Sequence, residues 1–130
     1  MLERSSWSVP IQLVSIATVF LLAGFWLRFD APISPYLRDA SGGISYVLVF
    51  ILACGALSQK ASSGSISIGV LSVTCCLEFL QLWHPAWLEA CRGTLAGRLL
   101  LGTTFEWADF PPYFTGAAFG WALLRALRKN

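Results

Sequence analysis

Charge is scarce in this chain. Asp, Glu, Lys and Arg make up 12% of its 130 residues, where a soluble domain carries about 25%. A soluble fold of this size covers itself with polar side chains, and this chain lacks them. Histidine is reduced to His84, which leaves Cys54, Cys75, Cys76 and Cys91 without the partners a zinc centre needs. Their spacing is not that of a metal site, and three of them fall in apolar stretches, where a thiol packs as a small hydrophobe. Neither a disulfide, a metal nor any other cofactor is expected. A net charge of +2 on scattered carriers excludes the basic footprint of a nucleic-acid binder. Internal repeats, low-complexity tracts, phosphate-cradling loops and nucleophile–base pairs are also missing.

What is there is apolar. Hydrophobic residues reach 56%, above the roughly 45–50% of a soluble domain, and mean hydropathy is +0.66. Charge-free stretches run over residues 5–27, 40–59, 61–77 and 110–124. A membrane-crossing helix needs about 20 mostly apolar residues, within a range of about 17–25. The fold class expected is therefore all-α: a single polytopic membrane domain of four transmembrane helices, at about 9–27, 42–57, 65–83 and 110–127. Arg125 lies inside the last span, and its long side chain can snorkel to the headgroups.

Turn chemistry agrees with these spans. Pro10 falls in the first turn of the first span, where its missing N–H costs little. Pro32 and Pro35 break the chain between the first and second spans, and a short polar turn around Lys60 separates the second from the third. Asp109 is placed to cap the fourth span, with Pro111 and Pro112 in its first turn. The first apolar run exceeds the h-region of a secretory signal, about 7–15 residues, and no small-residue cleavage site follows, so a retained helix is expected.

Four spans put Arg4, Lys60, Arg125, Arg128 and Lys129 on one side and Arg28, Arg38, Arg92 and Arg98 on the other. The terminal cluster of basic residues resists translocation, which predicts both termini on the cytoplasmic side. Residues 84–108 are too apolar for a solvated loop, yet Glu89, Arg92, Arg98 and Glu106 interrupt them. The segment 96–104 reads as a short helix lying in the interface, or a re-entrant one packed on the bundle.

This topology gathers polar groups at one end: Arg28, Glu78, Gln81, Arg92 and Asp109. Glu78 and Gln81 are three apart and share a helix face. Glu78 falls inside the apolar zone, where a carboxylate is costly and faces the bundle interior or a watery cavity with a partner. Arg28 or Arg92 is the expected counter-ion. Two readings stand side by side. In one, the cluster is an ion-pair network that fixes helix register. In the other, it is a pocket where arginines hold an anionic group, such as a lipid phosphate or pyrophosphate, and a carboxylate serves as base or metal ligand. Gly116 and Gly120 form a GxxxG on the fourth span, suited to close helix packing within the chain or to dimerisation.

The C-terminal half also carries a motif string: Glu78-x-x-Gln81-Leu82, Arg92-x-Thr94, Leu101-Gly102, Phe105-x-Trp107-x-Asp109 and Tyr113-x-x-Gly116. This string resembles a bacterial family of small membrane proteins catalogued as a domain of unknown function. The skeleton of E-x-x-Q, Arg, Asp and a glycine-rich last helix is also similar to the broader VanZ-like group, linked through its founding member to glycopeptide antibiotic resistance. The resemblance implies a four-helix membrane fold and assigns Arg28, Glu78, Gln81, Arg92, Asp109 and Tyr113 to motif positions, without implying a reaction; a bacterial inner-membrane location is expected. One position departs: the family pattern has Gly-Asp at the start of the second span, where this chain has Gly42-Gly43 and its nearest carboxylate is Asp39. Three functions follow as expectations. The first is binding of an anionic lipid or lipid-linked envelope intermediate near the outer interface, with membrane lipids as partners. The second is an accessory subunit that docks on a protein partner in the membrane. The third is an enzyme acting on a lipid-linked phosphate.

Overall fold

The computed structural model describes residues 7–129; Arg4, counted in the charge bias, lies outside them. Four long helices are present, α1 (Ser8–Phe29), α2 (Pro35–Leu57), α3 (Ser63–Leu80) and α6 (Phe110–Lys129). Between the last two lie the short α4 (Ala86–Arg92) and α5 (Leu95–Leu101) and a 3-10 turn, Trp107–Asp109. No strand occurs among the described residues.

Helices α1, α2 and α3 are long and apolar enough to cross a membrane. With 20 residues, α6 is long enough too, but its prolines, Tyr113, Thr115 and Arg125 make it the least apolar of the four, and it falls short by composition. Apolar side chains such as Ile11, Val19 and Leu22 on α1, Ile68 and Val73 on α3, and Phe119 on α6 point outward. An outer surface of this kind suits hydrocarbon as its solvent. Hydroxyls inside the apolar helices are spent locally: Thr18 donates to Val14 O, Ser67 to Ser63 O and Thr74 to Val70 O, each at 2.8 Å.

The ends of α2 and α3 differ from the charge-gap reading. α2 starts at Pro35, not Gly42, because its first turns carry charge that finds partners. Ser34 caps it by accepting from Leu37 N–H, and Pro35 is preset for the first turn. Arg38 donates to Ala31 O at 3.1 Å and Asp39 pairs with Arg28. α3 starts at Ser63 behind its cap Ser62 and ends at Leu80, short of Trp83. Asp109 lies in the 3-10 turn that runs directly into α6, so that helix starts from a tightened turn.

α2 and α6 form the centre and run parallel. Gly43 faces Pro112 and Tyr113, Gly116 meets Ile44, Gly120 meets Ile51, and Gly55 meets Leu124. A Cβ on Gly116 would come within 2.7 Å of the Ile44 carbonyl oxygen, so this glycine is what lets the two backbones approach. α1 packs antiparallel on α2, and α3 antiparallel on α6. Leu13, Val47, Leu48, Ile51, Leu52, Ala117 and Leu124 fill the space between them. At the far end Arg128 donates to Gly55 O, Ser58 O and Ala61 O, tying the end of α6 to the α2–α3 turn. These directions bring the C-termini of α1 and α3 and the N-termini of α2 and α6 to the same end.

Candidate functional site

That shared end holds a cavity of about 790 Å3. Its lining includes apolar side chains, among them Leu21, Phe25, Val49, Phe50 and Leu77, and the polar Arg28, Asp39, Glu78, Gln81, Arg98, Glu106, Asp109 and Tyr113. Short α5 covers part of it, held at its C-terminal end by two hydrogen bonds: Tyr46 donates to Leu100 O and Gln81 to Leu101 O, both at 3.0 Å.

Glu78 is the centre of the polar lining. It is 1% exposed, and an isolated carboxylate at such depth is costly. Three donors meet it. Tyr113 donates its hydroxyl at 2.8 Å, the Glu106 backbone N–H donates at 3.1 Å, and Gln81 Nε2 donates at 3.4 Å. None is an arginine, so the expected ion pair with Arg28 or Arg92 is replaced by neutral donors from α6, the C-cap of α3 and the chain before the 3-10 turn. Gln81 is oriented by the same logic. Its amide nitrogen faces two acceptors, Glu78 and Leu101 O, and turning it over would set oxygen against oxygen. The Gln81 oxygen is then buried with no hydrogen-bond partner. Gly102 follows from this placement: its φ of 72° and ψ of 176° lie in a region kept for glycine, and a Cβ there would collide with the Gln81 carboxamide.

Asp109 stands beside Glu78 at the start of α6. Burial, and then the Glu78 and Glu106 carboxylates, push its carboxyl up to about 6, against a weaker downward pull from Arg28. The two arginines of the cavity differ. Arg28 is half-exposed and paired with Asp39. Arg98 is exposed and has no acidic partner among the described residues. Four carboxylates thus line the cavity against two guanidinium groups. Among the described residues, no three His, Cys, Asp or Glu side chains converge as metal ligands.

Arg92 is elsewhere. It is buried, and its guanidinium donates to Leu80 O and Trp83 O at 2.9 Å and to Glu89 at 2.5 Å. Leu80 O is the last carbonyl of α3 and Trp83 O lies just beyond the turn that follows, at a helix end that leaves acceptors unsatisfied and favours positive charge. His84 Nδ1 donates to Glu89 at 2.9 Å, and this bond, then that from Arg92, holds the Glu89 carboxyl below its ordinary range. Arg92 therefore finishes the helix that carries Glu78 and Gln81. Of the motif residues, Arg28, Glu78, Gln81, Asp109 and Tyr113 share the cavity, and Gly116 and Gly120 lie buried against α2. Asp39, Arg98, Glu106 and Gly102 join them without having been singled out from the sequence as parts of the site.

Among the described residues the chain is all-helical, with three helices long and apolar enough to cross a membrane and a cavity with apolar and polar lining at one end of the bundle. The chain belongs to the family described as "Protein of unknown function (DUF2809)", which matches residues 33–117. The matched region runs from just before α2 to the middle of α6 and takes in Glu78, Gln81, Arg92, Asp109 and Tyr113. No solved structure matches the chain.

Proposed function

We propose that this protein is a membrane-embedded binding module for an amphiphilic lipid. The hydrocarbon chain lies against the apolar lining of the cavity, and the head group meets the polar lining around Asp109 and Gln81. The carrying observation is that one cavity of about 790 Å3 is lined by both apolar and polar side chains and includes a buried carboxylate. That volume falls within the roughly 300–1,000 Å3 of ordinary ligand sites. Arg98 at the mouth offers charge to a phosphate, as in an anionic lipid or a lipid-linked envelope intermediate.

In this reading α6 is a fourth span, the termini lie on the cytoplasmic side of a bacterial inner membrane, and the cavity faces the outer interface. The antiparallel alternation of the long helices and the basic end of α6 support that arrangement. The motif skeleton similar to the VanZ-like group supports a role in the envelope. The accessory-subunit reading is weakened because Gly116 and Gly120 are occupied by α2. The enzyme reading lacks a nucleophile with its base.

Native mass spectrometry of the detergent-purified protein tests the proposal, with Leu77→Trp as a variant that fills the apolar part. Lipid retained by the wild type and lost by a folded Leu77→Trp supports it. Equal retention by both, or none by the wild type, rejects it.

A further inference from the structure

Charged and apolar residues of the cavity are set apart along the helix axes. On α1, Leu21, Phe25 and Arg28 follow at i, i+4 and i+7 and form one stripe. On α2 the stripe runs from Asp39 through Tyr46 to Phe50, and α3 adds Thr74 and Leu77. At the rise of an α-helix, Leu21 lies about 10 Å deeper in the bundle than Arg28, and Phe50 about 16 Å deeper than Asp39. The charged part therefore sits at the end of the bundle and the apolar part within the spans.

The apolar part is also open sideways. α1 packs on α2, α3 packs mainly on α6, and α1 and α3 do not pack on each other. In the lining that these two helices share with α2, Phe50 is the one exposed residue of α2 between Asp39 and Leu57. Its ring centroid lies 4.8 Å from that of Tyr46, whose hydroxyl holds Leu100 of α5. Covered by α5 at Tyr46, the cleft is uncovered one turn deeper. Leu21 and Phe25, on its α1 wall, are 44% and 43% exposed.

We propose that the gap between α1 and α3 is a lateral acyl-chain site: a phospholipid of the surrounding bilayer lays a chain through it against Phe50, while its phosphate stays at the charged end beside Arg98. This rests on the lipid-binding reading and adds to it the source of the lipid and the path of its chain. A head at the end of the bundle and a chain running inward is the order of groups in a bilayer leaflet, so the lipid enters sideways without turning over. Arg98 is exposed, has no acidic partner among the described residues and complements a phosphate. A partner helix in the same gap would bring no phosphate to it. The chain leaves one apolar solvent for another, so the cleft holds it by close packing and not by the hydrophobic effect. Retention is therefore sensitive to the shape of the gap.

The test is native mass spectrometry of lipid retained after reconstitution into an equimolar phosphatidylethanolamine–phosphatidylglycerol bilayer and extraction into mild detergent. Leu21→Trp and Val19→Trp put the same bulk on α1 at exposed positions, and of the two only Leu21 lines the gap. An indole in the path of the chain overpacks the cleft, so retention by Leu21→Trp is expected to fall about tenfold. Val19→Trp is expected to retain lipid as the wild type does. Phe50→Ala adds no bulk and removes the ring under the chain, with an expected loss of about threefold from the dispersion contacts removed. Melting temperature and helicity of the same samples identify a variant that fails to fold, and the other then carries the test. Wild-type retention by a folded Leu21→Trp or Phe50→Ala, or an equal loss in Val19→Trp, overturns the lateral site. If Leu77→Trp still loses lipid in that case, the lipid-binding reading stands. If the wild type retains no lipid, that reading falls as well. A dimer in place of bound lipid, broken by Leu21→Trp, gives the gap to a second copy and overturns the proposal.

Discussion

Tyr113 on α6 donates its hydroxyl to Glu78 on α3 across 2.8 Å, joining two helices whose side chains line the cavity. The bond reaches a carboxylate that is 1% exposed, and hydrogen bonds to charged groups are worth about 1.5–3 kcal/mol. Tyr113→Phe is expected to cost that much in a denaturation series in mild detergent. Glu78→Gln removes the acceptor's charge, so the double variant should lose less than the sum of the two. Additive losses would mean that the two side chains are not coupled.

Arg92 gives a prediction of a different kind. Its guanidinium spans two carbonyls, Leu80 O and Trp83 O, a task for a planar fork that a lysine ammonium does not reproduce. Arg92→Lys is expected to destabilise the protein by about 1–3 kcal/mol through unsatisfied buried acceptors, while the folded fraction keeps its bound lipid. Thermal unfolding and lipid retention measured on the same sample separate the two effects. A folded Arg92→Lys that has lost its lipid would put Arg92 in the binding site.

Gly102 carries the backbone past the Gln81 carboxamide at φ 72°. Gly102→Ala meets both a strained conformation, costing about 1–3 kcal/mol, and a collision with Gln81. The expected result is a lower melting temperature together with weaker lipid retention, because Gln81 must move. A variant with unchanged stability would contradict this geometry.

Asp109 makes stability depend on pH. Its carboxyl stands at about 6, above the ordinary 3.8, raised by burial and by Glu78 and Glu106, with Arg28 pulling the other way. The folded protein therefore holds this proton more tightly than the unfolded chain. That contribution is fully present below pH about 4 and disappears as pH rises through about 6. Relative to Asp109→Asn, which stays neutral, the wild type should lose melting temperature between pH 4 and 7. A parallel course of the two proteins over that range would contradict the shift.

The long helices are legible in the sequence because an apolar, charge-free stretch of about 20 residues matches the thickness of a bilayer core. Their ends are less legible for a physical reason. Arg38 and Asp39 look like the end of an apolar span, yet helical geometry continues through charged residues that find partners, and α2 therefore begins at Pro35. Glu78 and Gln81 are readable as one face from their spacing. Their partners are not, because Tyr113 OH and the Glu106 N–H arrive through chain closure across α4 and α5. Arg92 is readable as important and not as a helix cap, since the backbone carbonyls it binds have no sequence signature. Gly102, directly after an apolar helical run, is the available signal for the turn beside Gln81.

The most direct measurement is photolabelling with a phospholipid that carries a diazirine in its acyl chain, followed by peptide mapping. The account predicts saturable labelling of the segments around Leu21–Phe25 and Leu77, reduced by excess unlabelled lipid and lost in Leu77→Trp. Labelling spread evenly over the outward faces of α1 and α3, and unaffected by competitor, would contradict a lipid site in the cavity.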